Sequence, residues 1–315
     1  MTRRTLPLLL VAALIVPVFA QQRQPARPGE QPQRPLLRPP PRLPEGVAVH
    51  RDLQYAQADA KANRLDLFVP RNEGGKPLPL VIWVHGGAWR AGTKNNCPAL
   101  PLLSEGYAVA SVEYRLSQVA IWPAQIHDCK AAIRYLRANA AKYGLDPQRF
   151  GSWGGSAGGH LSAMIAVSGE VKELEGDLGH ADQSSRVQCA VNWFGPSNLQ
   201  TMQSDSDKNA FSRMRHDGPN SPESLLIGGD VMKDKDKAAS ASPITYVSKD
   251  DCPMLHMHGD KDPIVPPQQS QVLHDALTKA GVASTLVFVE GAGHGFRGPD
   301  HIKRVREFFD KHLKK

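Results

Sequence analysis

The chain has 315 residues, of which 41% are apolar and 22% are charged. This composition excludes a collagen-like, fibrous or wholly disordered protein and is typical of one large globular domain or two small ones. The formal net charge is +7, but five of these charges belong to residues 1–46, which leaves about +2 for the rest of the chain. The basic balance therefore gives no reason to expect a nucleic-acid partner.

The first twenty residues have the pattern of an export signal. Two arginines precede an almost wholly apolar run, residues 6–19, which ends at Ala20 with small residues where a signal peptidase cuts. The run is short for a membrane span and contains two prolines, which favours removal over a retained anchor, the alternative interpretation. We predict a signal peptide over residues 1–20. The mature protein is then periplasmic or secreted and has no stable membrane span.

Residues 21–46 are rich in Pro, Gln and Arg and offer almost nothing to bury. We predict that this stretch is a disordered, partly polyproline-like tether. The remaining residues, 47–315, are predicted to form the folded domain.

Strand and helix patterns alternate along this domain. Strand patterns cover two pieces within 47–70, the clearer being 64–69, and then residues 78–84, 107–113, 149–153, 188–194, 253–258 and 284–290. Helical patterns cover residues 97–104, 122–144, 161–167, 267–280 and 301–313. The alternation predicts an α/β fold with a mostly parallel central sheet and helices on both faces. Ligands of such sheets bind at the carboxyl ends of the strands.

One long stretch after the sixth strand, residues 195–247, departs from the alternation. Within it, Ser221-Pro222-Glu223 is typical of a helix start, with a capping serine, a proline at the first helical position and an early acid. An excursion of this length beside the carboxyl edge predicts a lid-like or substrate-shaping insertion.

The segment Gly154-Gly155-Ser156-Ala157-Gly158 lies where a strand pattern gives way to a helical one. A serine flanked two residues away by glycines on a strand-to-helix turn is typical of a nucleophile elbow. The pattern alone is weak, because Gly/Ser-rich turns occur in many loops without a catalytic role. Ser156 therefore needs partners elsewhere in the chain.

Two late loops offer those partners. His258-Gly259-Asp260-Lys261-Asp262 follows one strand pattern, and His294 stands among glycines after the last strand. A serine nucleophile needs a base, and the base needs an acid that orients it. The chain order Ser156, Asp262, His294 is the order expected on this architecture. We predict that these three residues form a catalytic triad.

Acyl transfer also requires donors for a developing oxyanion. His85-Gly86-Gly87 follows the third strand, and the backbone NH groups of Gly86, Gly87 and Ala157 are predicted to converge as an oxyanion hole. His85 is interpreted as a brace of this loop. Three aromatic residues near the motif loops are weaker candidates for a substrate pocket, although core positions are the commoner use of such residues: Trp89, Tyr114 and Trp122.

The other polar and sulfur-containing candidates have structural interpretations. His160, His256 and His258 follow helix or strand patterns. The four cysteines, Cys97, Cys129, Cys189 and Cys252, have no zinc-site spacing, and they allow three complete pairings in an exported protein. A bridge between Cys189 and Cys252 is sterically possible if their strands are neighbours, and Cys129 has the position of a buried hydrophobic residue.

The motifs HGGAW, VEYRL, GGSAGGH, WFGP and HGDKDPIVP occur in that order between residues 85 and 266. By these motifs the chain resembles the α/β-hydrolases of the esterase and lipase superfamily, and among them the bacterial carboxylesterases related to feruloyl and acetyl-xylan esterases. The resemblance extends over about residues 47–313. It implies that Asp262 is the triad acid, that Asp260 stabilises the turn, and that neither a metal nor an organic cofactor is needed.

The expected activity is hydrolysis of carboxylic esters, whether small molecules or acetyl and feruloyl groups on polysaccharide. A serine peptidase or an amide hydrolase such as an arylformamidase is the main alternative, because the fold does not decide between them. A non-catalytic binding protein on the same scaffold is a further one. The sequence predicts no particular oligomer.

Overall fold

The computed structural model describes residues 43–72, 74–169, 171–296 and 298–314. The predicted signal peptide and residues 21–42 of the predicted tether lie outside these ranges. The last tether residues, 43–46, are described, and Leu43 packs against the hydrophobic core. Among the described residues, no helix combines the length and the apolar character needed to cross a membrane.

In the described part of the chain, eight strands form one sheet. The strands are β1 Ala48–Gln54, β2 Arg64–Val69, β3 Leu78–Val84, β4 Ala108–Val112, β5 Leu145–Gly155, β6 Cys189–Trp193, β7 Met254–Gly259 and β8 Ser284–Val289. Their spatial order is β1-β2-β4-β3-β5-β6-β7-β8, in which β2 pairs antiparallel with both neighbours and all other pairs are parallel.

Helices follow most of the parallel strands. They are α1 Ala124–Ala138, α2 Ala140–Tyr143, α3 Ala157–Val167, α4 Met202–Lys208, α5 Pro222–Ile227, α6 Lys235–Ser240, α7 Gln268–Lys279 and α8 Pro299–Leu313. Short 3₁₀ helices cover Leu100–Glu105, Lys172–Leu174 and Pro243–Tyr246. The helix expected over 97–104 is therefore only a short 3₁₀ helix, since the prolines at positions 98 and 101 remove backbone donors from this segment.

The two faces of the sheet are buried under different helices. Alternate residues of β3 belong to two separate clusters, with Ile82 on one side and Trp83 on the other. The first cluster includes Ile126 of α1 and Leu161 of α3, and the second includes Phe309 of α8. The predicted mostly parallel sheet with helices on both faces is confirmed.

The insertion over residues 195–247 packs onto this framework. It contains α4, α5 and α6, and Ser221 caps α5 by accepting a hydrogen bond from the Ser224 NH. Leu226 of α5 is fully buried, and its carbonyl accepts from the Trp122 NH at 2.8 Å. The insertion is therefore anchored to the rest of the domain through its backbone and its core. Its movement as a lid stays a prediction.

All four cysteines lie in the described ranges and are free thiols in this structure. β6 begins at Cys189, and β7 begins two residues after Cys252. These two strands are neighbours in the sheet, as a bridge between the two cysteines would require. Burial raises the pKa of Cys252 to about 12, so its thiol is poorly disposed to ionise.

Candidate active site

Ser156 occupies a strained turn between β5 and α3. Its backbone has φ 57° and ψ −124°, values that non-glycine residues rarely adopt. Its NH donates to the Trp193 carbonyl at 2.9 Å. A Cβ at Gly154 would overlap the backbone of Gly158, and a Cβ at Gly158 would overlap the carbonyl oxygen of Val84. Glycine at both positions is therefore what allows the chain to turn sharply enough to lift Ser156 above the strand ends.

Three further non-glycine residues with positive φ lie around Ser156. Ala88 and Trp89, after the His85-Gly86-Gly87 segment, have φ of 55° and 57°, and Phe194, at the end of β6, has φ of 42°. Such conformations cost roughly 1–3 kcal/mol each and persist where the surroundings hold them, often at functional sites. Their concentration at one edge of the sheet marks this edge as the candidate site.

The structure brings the three predicted triad residues together. The Nε2 atom of His294 lies 2.9 Å from Ser156 Oγ, and its Nδ1 atom lies 2.8 Å from Asp262 Oδ2. Because the carboxylate can only accept, Nδ1 carries the proton and Nε2 is left as an acceptor for the serine hydroxyl. The three side chains come from loops after β5, β7 and β8, which all end at the same edge of the sheet. In this geometry His294 Nε2 can accept the hydroxyl proton of Ser156.

Asp262 is fully buried and has hydrogen-bond donors at both oxygens. Its Oδ1 accepts from the NH groups of Ile264 and Val265 at 2.8 and 3.0 Å, and Nε2 of His258 lies 3.3 Å from Oδ2. Burial alone would raise the pKa of Asp262, but His258 and His294 outweigh this effect and hold the pKa well below its usual range. The carboxyl group is therefore ionised at neutral pH and able to orient His294.

His258 is a component of the site that the sequence patterns place only on a strand. Its ring is fully buried, Nε2 donates to the Val265 carbonyl at 2.9 Å, and Nδ1 accepts from Ser270 Oγ at 2.7 Å. The same Nε2 faces Asp262 Oδ2, the oxygen that His294 also contacts, so His258 is a second imidazole beside this carboxylate. Asp260, by contrast, is exposed, and its backbone NH donates to the Val289 carbonyl.

The predicted oxyanion donors lie on either side of Ser156. None of the hydrogen bonds between described residues uses the NH of Gly86, Gly87 or Ala157 as donor. Ala157 is the first residue of α3, so the positive end of the helix dipole is added at this point. These NH groups are thus available to an oxygen atom bound above Ser156.

His85 holds the glycine segment from beneath. Its Nδ1 donates to the Gly86 carbonyl at 2.8 Å, and its ring stacks on Tyr114 with centroids 4.3 Å apart. The Tyr114 hydroxyl donates to the His85 carbonyl at 3.0 Å. Tyr114 is fully buried by these contacts, so its place is behind the loop and not in a pocket.

A small cavity of about 30 Å³ opens beside Ser156. Its lining residues come from the glycine segment, the elbow, the insertion and the acid loop: Ala88, Trp89, Ser156, Ala157, Pro196, Met214, His216, Pro222, Glu223, Ile264 and Val265. Of the three predicted pocket aromatics, only Trp89 is among them. Tyr114 and Trp122 do not line this cavity, although both belong to the same buried hydrophobic cluster as Trp89.

His160 connects the glycine segment to the insertion. Its Nδ1 accepts from Trp89 Nε1 at 3.2 Å, and its Nε2 donates to the Ala241 carbonyl at 2.7 Å. Burial lowers the pKa of His160 to about 4, so the ring is neutral near pH 7 with its proton on Nε2. The structural role expected for His160 is therefore to hold Trp89, which lines the cavity, against the insertion.

The insertion contributes two buried polar side chains that the sequence patterns do not assign to a site. Nδ1 of His216 lies 2.9 Å from Glu223 Oε1, and its Nε2 lies 3.0 Å from the Ile264 carbonyl. Glu223 is predicted from sequence only as the acidic residue of a helix start. Among the described residues, no group of three or more His, Cys, Asp or Glu side chains is placed to hold a metal ion.

Comparison with known proteins links this geometry to a family. The BD-FAE family model matches residues 65–277, a range that includes Ser156 and Asp262. Esterase LipQ of Mycobacterium tuberculosis is 33% identical over 252 residues, which cover 78% of this chain and 56% of LipQ.

Two solved structures are similar throughout the described fold. A truncated form of a carbohydrate esterase from gut microbiota is 36% identical, with a TM-score of 0.76, and the match covers 85% of this chain and 97% of that one. A bifunctional GH43-CE protein of Bacteroides eggerthii is 34% identical with the same TM-score of 0.76, and the match covers 84% of this chain and 35% of that one. These similarities identify the α/β-hydrolase fold. The chain spans only 51–60% of the length of the first curated relatives it matches, all of them named as esterases or as a carboxylic ester hydrolase.

Proposed function

The chain belongs to the BD-FAE family, and from this premise we propose that it is a serine hydrolase of carboxylic esters. The observation that carries the proposal is the continuous hydrogen-bonded chain from Ser156 Oγ through His294 to the buried Asp262. The relatives named as esterases support the same reaction type.

In the proposed reaction, Ser156 Oγ attacks the ester carbonyl while His294 Nε2 takes its proton. Asp262 keeps the proton of His294 on Nδ1 and stabilises the imidazolium that forms. The carbonyl oxygen becomes negative and binds the NH groups of Gly86, Gly87 and Ala157, each worth on the order of 10²–10³ in rate. His294 then protonates the leaving alcohol, and water, activated by the same histidine, releases the acid and regenerates Ser156.

The contacts of His258 give it a supporting role in this scheme. By directing Nε2–H toward Asp262 Oδ2 and the Val265 carbonyl, it helps keep the carboxyl ionised and in place. It does not touch the reacting atoms, so it is a positioning residue.

The proposal extends to where the enzyme works and on what. The signal-like N-terminus supports export to the periplasm or the medium. The similarity to the carbohydrate esterase from gut microbiota supports an ester group on polysaccharide, such as an acetyl or feruloyl group, as the substrate. The small cavity beside Ser156 favours a short group there, since about 30 Å³ accommodates only a few heavy atoms.

The proposal is tested with matched p-nitrophenyl acetate and p-nitroacetanilide. We expect the protein to hydrolyse the ester and to act far more slowly on the anilide, and Ser156→Ala to abolish ester turnover while leaving the melting temperature within a few degrees. Faster cleavage of the anilide would favour an amide hydrolase. Ester turnover retained by Ser156→Ala would contradict the assigned nucleophile.

A further inference from the structure

Apart from Ser156 and the buried pair of His216 and Glu223, the residues that line the cavity beside Ser156 are apolar. Trp89, Met214 and Val265 are among its apolar walls, whereas Glu223 lines it from α5. Glu223 is only 2% exposed, so its carboxyl group is largely removed from water. A carboxyl group in such surroundings is costly unless its oxygens are hydrogen-bonded.

Only one of the two Glu223 oxygens has a partner. Oε1 lies 2.9 Å from His216 Nδ1, whereas Oε2 is buried and makes no hydrogen bond with any described residue. Buried oxygens without partners are uncommon in proteins, and one on a carboxyl group costs more than one on a neutral group. The unpaired oxygen belongs to a residue of the candidate active site, where a ligand can supply the missing donor.

The contact with His216 fixes the position of the Glu223 carboxyl group. The Ile264 carbonyl can only accept, so Nε2 of His216 carries a proton, and a second proton lies between Nδ1 and Glu223 Oε1. The pair is therefore neutral overall, and it ties α5 to the loop that also carries Asp262. Oε1 is engaged by this contact, whereas Oε2 has no partner and is the oxygen left to accept a hydrogen bond from a ligand.

From these contacts we propose that Glu223 Oε2 accepts a hydrogen bond from a hydroxyl group of the substrate close to the scissile ester. Glu223 is then a specificity-determining residue that selects hydroxylated esters over apolar ones of the same shape. The inference rests on the proposed esterase function and refines it. The hydroxyl can stand on the alcohol portion, as in a partly acylated polyol, or on the acyl portion, as in a 2-hydroxy acid.

Isosteric ester pairs separate these two sources. The alcohol pair is 2-hydroxyethyl acetate and propyl acetate, and the acyl pair is p-nitrophenyl glycolate and p-nitrophenyl propionate, each differing by a hydroxyl in place of a methyl group. The measured quantity is the hydroxyl-to-methyl ratio of kcat/KM within a pair. Differences in intrinsic reactivity cancel when the ratio of a variant is divided by that of the wild type.

We expect Glu223→Met to lower this ratio by roughly ten- to a hundredfold in one of the two pairs, the range for a hydrogen bond to a charged group. The pair that responds identifies the side of the ester that carries the hydroxyl. Ser224→Ala is the matched control, because Ser224 is the next residue of α5, is buried, and does not line the cavity. It is expected to change both members of each pair equally.

Glu223→Gln keeps the size and polarity of the side chain and provides a second variant if Glu223→Met does not fold. It is expected to lower the same ratio, by less than the methionine variant. If the ratio is unchanged in both pairs while p-nitrophenyl acetate is still hydrolysed, Glu223 is only a structural brace and the inference is wrong. If the wild type hydrolyses no ester at all, the proposed function fails and the inference fails with it.

Discussion

The carboxyl edge of the sheet and the insertion over 195–247 meet at the same cavity but are constrained in different ways. At the sheet edge, close backbone contacts fix Ser156: a Cβ at Gly154 would overlap the backbone of Gly158, and a Cβ at Gly158 would overlap the Val84 carbonyl oxygen. In the insertion, side-chain contacts such as His216 with Glu223 do the positioning. In the proposed function the sheet edge supplies the reaction chemistry with little freedom to vary, and we expect the insertion to affect selectivity without disturbing Ser156.

The largest expected effect lies at the sheet edge, in the acid loop. Asp262→Asn removes the acceptor that fixes the tautomer of His294, so kcat/KM for p-nitrophenyl acetate should fall on the order of 10⁴-fold. Asp260→Asn, two residues away and exposed, is the matched control and should change kcat/KM by less than about twofold. Equal effects of the two substitutions would remove the distinction between a catalytic and a turn-forming carboxylate.

Alanine in place of glycine compares the backbone constraints of the two regions. Gly154→Ala places a Cβ against the Gly158 backbone, and we expect it to cost more than about 3 kcal/mol of unfolding free energy or to prevent folding. Gly218→Ala, in the insertion, meets open space at a residue without positive φ, so it should be neutral or stabilise by up to about 1 kcal/mol. Urea denaturation of both variants measures the difference, and similar costs would contradict it.

His160 connects the two regions, and its shifted pKa predicts how the unfolding free energy responds to acid. Its pKa falls from 6.5 to about 4 through burial, so the unfolded state binds a proton in that interval and the folded state does not. The contribution of neutral His160 to the unfolding free energy is complete above about pH 6.5. It is lost as the pH falls toward 4, a change of about 3 kcal/mol. His160→Gln should therefore flatten the acid slope of the unfolding free energy. An unchanged slope would show that His160 does not titrate in this way.

Much of the fold could be predicted because its elements follow local patterns. The continuous apolar run of residues 78–84 matches β3, Leu78–Val84, and the predicted helix cap at Ser221 has its expected hydrogen bond. The helix expected over residues 97–104 is only a short 3₁₀ helix, because the prolines at positions 98 and 101 limit its backbone hydrogen bonds. Periodicity identifies which face is buried but not how a short segment satisfies its backbone.

In the candidate site, too, the sequence identifies some residues and only the structure shows the others. Ser156 and His294 stand in glycine-rich motifs at strand ends, so the sequence alone makes them candidates. The choice of Asp262 over Asp260 rests on the family resemblance, and the structure places the three predicted triad residues in contact. The roles of His258, His216 and Glu223 depend on contacts between segments distant in sequence, and no local pattern distinguishes them from core or surface residues. For His258, the one available signal was its position at the start of the acid motif.

The central claim is that Ser156 is an activated nucleophile at the edge of the sheet. It is tested most directly by treating the folded protein with a fluorophosphonate and mapping the modified peptide by mass spectrometry. The account predicts one equivalent of label on Ser156 in the wild type and none on Ser156→Ala. A folded wild-type protein that remains unlabelled, or label on another residue in both proteins, would contradict it.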